Sequence, residues 1–236
     1  MKRLFVLLAV LPFAISCGKG GKPNLKTEDD KVLYSMGNML GGNIQRLQLT
    51  DDEVRVLAAG LQDSATNKKS AIDTKEFQAK ISEFFRARME KVSLVEKKKG
   101  DEFRAKFEKE AGVQKTASGL LYKIENPGSA VKPSATDTVE VNYHGTLIDG
   151  TVFDSSIERG KPISFPLDRV IKGWTEGLQL IGEGGKMKLV IPADLAYGDA
   201  GAPPKISGGA TLSFDVELIK VTKTPVAPAP KKAGKK

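Results

Sequence analysis

From Asp29 onward apolar residues return at helical spacing, and Val32, Leu33, Met36, Met39, Leu40, Ile44 and Leu47 fall on one face. Gly41-Gly42 interrupt that face and weaken the helix there. Thr50-Asp51-Asp52-Glu53 has the spacing of a capping box, which predicts a second helix through Val54, Leu57 and Leu61. Asp73 and Glu76 repeat the start signal. A third helix then runs through Phe77, Ile81, Phe84, Phe85, Met89, Val92 and Val95 to Phe103 and Phe107, with Gly100 its one weak point. If continuous over residues 74–111 it would extend about 57 Å, beyond the diameter of a small domain. Its second half is mostly Lys and Glu, which favours a solvent-exposed stalk over a helix packed on a neighbouring domain and bent at Gly100. Residues 29–63 carry two apolar faces on a segment too short to close a core unaided. Sharing one core between two copies is the economical solution, so a homodimer through residues 29–95 is predicted.

Beyond Gly119 the period shortens from helical to alternating. Leu120 to Ile124 reads as a strand, and Pro127-Gly128 and Lys132-Pro133 as loop. Val139, Val141 and Tyr143 at every second position mark a strand with one buried face. Asp149-Gly150, between Thr146-Leu147-Ile148 and Thr151-Val152-Phe153, predicts a two-residue hairpin whose type I′ turn needs positive φ. Ile163-Ser164-Phe165, a short helix from Trp174 to about Leu180 and the strand Lys186 to Ile191 follow. A loop rich in Gly and Pro (198–209) precedes a last strand, Thr211 to Val221, with Leu212, Phe214, Val216 and Leu218 on one face. The fold class is α+β: a C-terminal antiparallel β-sheet wrapped on a short helix, preceded by an all-α region and a long helix.

The two ends belong to neither pattern. Lys2-Arg3 and the apolar run Leu4 to Ile15 have the layout of a signal peptide, and the run is too short to span a hydrocarbon layer of about 30 Å. Ala14-Ile15-Ser16 supplies small residues for cleavage directly before Cys17, the chain's one cysteine. An internal disulfide is therefore impossible, and an unpaired thiol in an exported protein needs a reason. The stretch resembles a bacterial lipobox, in which Cys17 would be acylated, and Gly18 after it points to the outer membrane. Cleavage to a soluble periplasmic protein is the alternative. The expected organisation is a signal peptide over 1–16, a flexible tether over 17–28, a helical dimerisation region over 29–72 and the stalk over 73–112. A β-rich domain over 113–223 and a disordered basic tail over 224–236 complete it. The formal charge is +8, but Lys2 and Arg3 lie in the leader and Lys231, Lys232, Lys235 and Lys236 in the tail. With no Arg-rich helix, zinc spacing or aromatic-glycine signature, no nucleic-acid partner is expected, and membrane contact is expected through the lipid anchor only.

Phe153 and Asp154 adjoin just after the hairpin, and the chain's only tryptophan, Trp174, follows. Aromatics in a β framework with one acid and no evident nucleophile suggest an apolar pocket rather than a hydrolytic site. His144 is the sole histidine and alternates away from Tyr143 onto the outer face, which argues against a triad or a histidine metal site. No cofactor or metal is expected.

Several motifs fall in a familiar order: Val141-Asn142-Tyr143-His144-Gly145, Gly150-Thr151-Val152-Phe153-Asp154-Ser155-Ser156 and Val170-Ile171-Lys172-Gly173-Trp174. Ile191-Pro192 with Ala196-Tyr197-Gly198, and Leu212-Ser213-Phe214-Asp215-Val216-Glu217-Leu218, complete the set. Residues 119–221 closely resemble the FKBP family of peptidyl-prolyl cis-trans isomerases. With its leader, helical N-terminal region and Tyr34-Ser35-Met36-Gly37, the whole chain looks like the dimeric FkpA/Mip group of bacterial envelope isomerases. The resemblance implies that Trp174 forms the floor under a substrate proline, with Tyr143, Phe153, Val170, Ile171 and Phe214 as walls. Phe165 would stand beside the pocket and Ile206 cover it. The resemblance also implies catalytic roles for Ile171, through its backbone N–H, and Tyr197, through its hydroxyl, as donors to substrate carbonyls. Asp154, held by Tyr143 or Arg159 at the pocket edge, would favour the twisted carbonyl electrostatically, with Arg159 counted among the substrate-binding residues. By spacing alone, Tyr143 and Phe214 read equally well as core, Asp154 as a turn acid and Arg159 as its ion-pair partner. Two departures stand out: Ile163 where many members have Phe, and Ile206-Ser207-Gly208 in place of Ile-Pro-Pro. They bear on sequence preference and inhibitor affinity.

The function expected is catalysis of X–Pro isomerisation during folding of exported proteins, with proline-containing unfolded or partly folded polypeptides as partners and family macrolides as inhibitors. A chaperone that works through the dimer cleft, independently of isomerisation, is the alternative. A structural lipoprotein with a vestigial pocket is a third.

Overall fold

The structure, a computed structural model, describes residues 23–225, and the chain divides into two compact units after Gly41. Cys17, the expected leader, the first half of the tether and residues 226–236 lie outside the described residues. In the first unit, α1 (Glu28–Ile44, whose last turn enters the second unit) opens on a reciprocal cap. The Asp30 N–H donates to Thr27 Oγ1 at 3.0 Å, and the Thr27 N–H donates back to the Asp30 carboxylate at 2.8 Å. α1 continues through Gly41-Gly42 without a break. Its apolar face is uncovered: Val32, Leu33, Met36, Met39 and Leu40 are each more than half exposed.

The second unit begins with a 3₁₀ turn, Gln45–Leu47, in which Leu47 is buried. α2 (Asp51–Ala65) starts at the expected capping box, with the Thr50 N–H donating to the Glu53 carboxylate at 2.8 Å and the Glu53 N–H to Thr50 Oγ1 at 3.3 Å. Glu53 also pairs with Arg88 of the next helix. Asp73 caps a 3₁₀ turn, Thr74–Phe77, that leads into α3 (Gln78–Phe107). At 30 residues, α3 is about 45 Å long, shorter than the 74–111 span expected.

The second half of α3 is not a stalk in solvent. Val92, Ser93, Gly100 and Phe107 are buried, and Phe107 packs with Leu121 and Val190 of the β-rich region. The approach is tight at Gly100, where a Cβ would lie 2.2 Å from Thr211 Oγ1. The contact stripe is narrow and includes a serine and a glycine, which an apolar count does not register, so a docked helix reads as a polar one.

Among the described residues seven antiparallel strands follow: β1 (Val113–Lys115), β2 (Leu121–Asn126), β3 (Thr138–Leu147), β4 (Val152–Ser155), β5 (Ile163–Pro166), β6 (Lys186–Ile191) and β7 (Leu212–Thr222). Their order is β1-β2-β6-β7-β3-β4, with β5 paired to β3. One edge of β3 lies along β7 from Thr138 to Leu147, while its other edge takes β5 over its first residues and β4 over its last. The expected alternation holds, with Val139, Val141 and Tyr143 buried on β3 and Leu212, Phe214, Val216 and Leu218 on β7. β1 is three residues long, too short to show a period.

The β3–β4 hairpin departs from the two-residue type I′ turn. Leu147 N–H donates to the Thr151 carbonyl and Gly150 N–H to the Leu147 carbonyl, leaving a three-residue loop. Gly150 alone takes positive φ there (+87°), and Asp149 caps the loop by accepting from Thr151 N–H at 2.9 Å. This is a type I turn closed by a glycine in the left-handed region, the next commonest hairpin solution.

The short helix α4 (Lys172–Leu178) lies against the sheet. Gly173 and Gly177 face β6 so closely that a Cβ would meet Ile191 at 2.4 Å and Leu189 at 2.7 Å. That approach seats Trp174 and Leu178 in the main core.

Candidate active site

Four strands and the N-terminus of α4 converge on a cavity of about 540 Å³. Tyr143 comes from β3, Phe153 and Asp154 from β4, Phe165 from β5 and Phe214 from β7, because alternation turns each of these aromatics to the inner face. Val170, Ile171 and Trp174 come from the entry to α4, and Tyr197 from the β6–β7 loop. The sequence thus brings together all the residues expected at the pocket except Arg159 and Ile206.

The floor is a cluster of rings packed mostly edge to face. Trp174 meets Tyr143 at 5.1 Å and 87°, Phe214 at 5.2 Å and 81°, and Phe165 at 5.4 Å and 52°. Phe153 meets Phe214 at 5.4 Å and 88°. Such geometry sets the positive ring edge on the negative face and contributes about 0.5–1.5 kcal/mol per pair beyond burial. Space beneath the rings comes from Gly145, where a Cβ would lie 2.8 Å from Phe153 and 2.9 Å from Phe214. The indole Nε1 of Trp174 is buried with no hydrogen-bond partner among the described residues.

Apart from that indole, the polar groups lie toward the rim. Asp154 accepts hydrogen bonds from the Tyr143 hydroxyl and the Arg159 guanidinium, and Arg159 also donates to the Tyr143 oxygen at 2.8 Å. Burial pushes the Asp154 carboxyl up, but those two donors and the guanidinium charge outweigh it and hold the group below its ordinary value. Burial, reinforced by the Asp154 carboxylate, pushes the Tyr143 hydroxyl up despite Arg159. Tyr197 is pushed the same way by burial and by Asp154, so both phenols stay protonated donors at neutral pH. Tyr197 is 42% exposed and its hydroxyl is engaged by no described residue. The Ile171 carbonyl accepts from Trp174 and Thr175 N–H at 2.9 and 3.2 Å. Its own N–H precedes the first turn and has no intrahelical acceptor.

Two expected pocket residues lie elsewhere. Arg159 does not line the cavity but stands behind Asp154, its guanidinium 5.5 Å from the Tyr143 ring centre. Ile206, expected as a cover, is buried in the main core, and its N–H and carbonyl pair with Ala202. The neighbouring Lys205 reaches the Phe153 carbonyl at 2.7 Å and holds that loop against β4. Conversely, Ile163 lines the cavity at the position where many family members have a Phe beside the pocket, and Arg169, Lys172 and Ala196 line it without having been expected there. Ile163 was visible as the odd member of its motif; the other three carry no signal of their own, since a rim is set by loop geometry. His144 lies off the pocket, its Nδ1 3.1 Å from Ser155 Oγ.

An aromatic cup with hydrogen-bond donors beside it, and no nucleophile next to a base among its lining residues, can bind and orient an apolar ring and its flanking carbonyls. The chain matches the model of the FKBP-type peptidyl-prolyl cis-trans isomerase over residues 129–219, and that of the domain amino terminal to such isomerases over 29–124. It belongs to the family of FKBP-type peptidyl-prolyl cis-trans isomerases, whose reaction is rotation about the bond preceding proline.

Among relatives, it is 41% identical over 247 residues to the FKBP-type peptidyl-prolyl cis-trans isomerase FkpA of Escherichia coli K12, covering 98% of this chain and 91% of that one. It is 38% identical over 232 residues to the outer membrane protein MIP of Legionella longbeachae, covering 94% and 99%. The crystal structure of FkpA from Escherichia coli superposes with a TM-score of 0.65 at 43% identity, covering 86% of this chain and all of that one.

Proposed function

We propose that this isomerase acts in the bacterial envelope, on X–Pro bonds of exported polypeptides, by holding the proline over Trp174 in a site that excludes water. The observation that carries the reading is the separation of an apolar floor from a rim of donors. The X–Pro barrier is of the order of that of other amides, roughly 18–20 kcal/mol, because resonance keeps the bond planar. Rotation breaks the resonance and makes the twisted amide less polar than the planar one. An apolar cup therefore favours the twisted form relative to water, and no covalent step is needed. In this reading the Ile171 N–H and the Tyr197 hydroxyl orient the peptide by donating to its carbonyls, and the Asp154 carboxylate, which lines the cavity, favours the twisted carbonyl carbon. Uncatalysed isomerisation takes tens of seconds or more, so chains that fold after export are natural substrates.

Envelope placement is supported by the leader-like residues 1–16 and by a relative that is an outer membrane protein. Acylation at Cys17 would supply the anchor, with soluble export as the alternative; mass spectrometry of the mature N-terminus separates them. A homodimer through residues 29–95 is supported by the uncovered apolar residues of α1 and α2, among them Met39 at 73% exposure and Val56 at 75%. Sedimentation of the full chain is expected to give a dimer, and a monomer at micromolar concentration would remove this part of the reading.

The activity is tested on a proline-limited refolding reaction and on a proline peptide in a protease-free assay. Acceleration by the full chain, blocked by a family macrolide, is expected; refolding no faster than in buffer would sink the reading. The uncovered helices also favour a second reading, a chaperone working through a dimer cleft. Loss of client protection on removing residues 18–112, but not in Tyr197→Phe, would assign that work to the helices.

A further inference from the structure

We propose that α3 is a positioning element for the pocket: Ser93 and Lys97 grip Asp199 and through it fix the segment that presents the Tyr197 hydroxyl. This rests on the reading that Tyr197 orients the substrate.

Ser93 and Lys97 stand one helical turn apart on α3, so their side chains share a face. Both reach the same carboxylate oxygen of Asp199, the Ser93 hydroxyl at 2.6 Å and the Lys97 ammonium at 2.6 Å. Asp199 lies two residues past Tyr197 in the loop between β6 and β7. That loop is tied internally around Tyr197. The Tyr197 carbonyl accepts from Gly201 N–H at 3.1 Å, Gly198 N–H donates to Ala193 at 2.9 Å, and the Gly198 carbonyl accepts from Gly209 N–H at 2.9 Å. α3 also touches the returning leg of the loop. Gly209 has φ +78°, and a Cβ there would lie 2.3 Å from the Ser93 carbonyl. Helix and loop thus meet on both legs, at Asp199 and at Gly209, with Ser93 common to both contacts.

Ser93 is 3% exposed, whereas the Asp199 side chain is 71% exposed. Water screens the Lys97–Asp199 pair, and exposed pairs of this kind contribute little to stability. A contact that stabilises weakly yet holds a carboxylate in one place is suited to orientation. The cost of losing it falls on the pocket mouth rather than on the fold.

The test is a mutant cycle in the full chain, read as kcat/KM on a proline peptide, with thermal midpoints as the control. Ser93→Ala and Asp199→Ala are each expected to lower kcat/KM about three- to tenfold, as loss of one hydrogen bond's orienting effect. They should do so in the same parameter, kcat or KM, that Tyr197→Phe moves, with midpoints near the parent's. Lys97→Arg, which keeps the charge and the donor, should stay close to the parent. On a Tyr197→Phe background, Ser93→Ala and Asp199→Ala should cost nothing further. An undiminished loss on that background, or no loss from either single variant while Tyr197→Phe is impaired, overturns the clamp and leaves the role of Tyr197 standing. Parental activity in Tyr197→Phe itself would overturn that role and the clamp with it.

Discussion

The floor of the cavity and its rim are built in opposite ways. On the floor, Tyr143, Phe153, Trp174 and Phe214 are each 6% exposed or less and belong to the core that holds the sheet to α4. On the rim, the Asp154 side chain is 46% exposed and is held by a charged hydrogen bond from Arg159 behind it, itself 40% exposed. The floor cannot be altered without touching the fold, because the rings that receive the proline also close the core. The rim can be altered with the fold kept, because its groups are exposed and joined to one another. Activity lost with stability therefore points to the floor, and activity lost alone points to the rim.

The largest expected effect follows from emptying the floor. Trp174→Ala removes a ring in contact with three others, and should cost about 3–5 kcal/mol of stability together with nearly all activity. Urea denaturation beside a peptide assay reads both; loss of activity with an unchanged midpoint would break the contrast from the floor side. Next comes Gly145→Ala, which would force Phe153 and Phe214 from their places and should cost about 1–3 kcal/mol. The measure is the shift in urea midpoint and in macrolide affinity, and a variant as stable as the parent would show the rings free to give way.

Rim changes should be smaller and should spare the midpoint. Tyr197→Phe is expected to lower kcat/KM about tenfold, one orienting bond's worth. Arg159→Lys keeps the charge but loses the fork that bridges Asp154 and the Tyr143 oxygen, so a fall of about two- to threefold is expected. The pH profile sharpens the same point. With its carboxyl held down, Asp154 stays charged throughout the neutral range. Its pairing stabilises the fold above the unfolded carboxylate value of about 3.9, and that contribution is lost as pH falls through the lower folded value. Activity should therefore be level from neutral to mildly acidic pH; a drop near pH 6 would mean another group is titrating.

Much of this was legible in the sequence because it depends on short-range pattern. Alternation at Val139, Val141 and Tyr143 identified the face of β3 that carries the pocket. The capping box at Thr50 set the start of α2. What escaped depends on distance along the chain. Ser93 and Asp199 are 106 residues apart, and Gly100 meets Thr211, so the seat of α3 has no local signature and its polar surface read as a stalk. Ile206 failed differently: its hydrophobicity was read correctly, but the loop folds it inward with Ala202 rather than over the cavity. At the hairpin, Asp149-Gly150 located the turn but not its length: the expected two-residue type I′ turn needs two left-handed residues, and Gly150 alone takes positive φ, which suits a three-residue loop.

The central claim is that this pocket speeds rotation by excluding water, without a nucleophile or a proton in flight. It is tested most directly by comparing kcat/KM for a proline peptide in light and heavy water, in the full chain at neutral pH. Equal rates in the two solvents are predicted, since no O–H or N–H bond is made or broken as the amide twists. A rate clearly slower in heavy water would mean that a proton moves in the rate-limiting step, and would contradict the account.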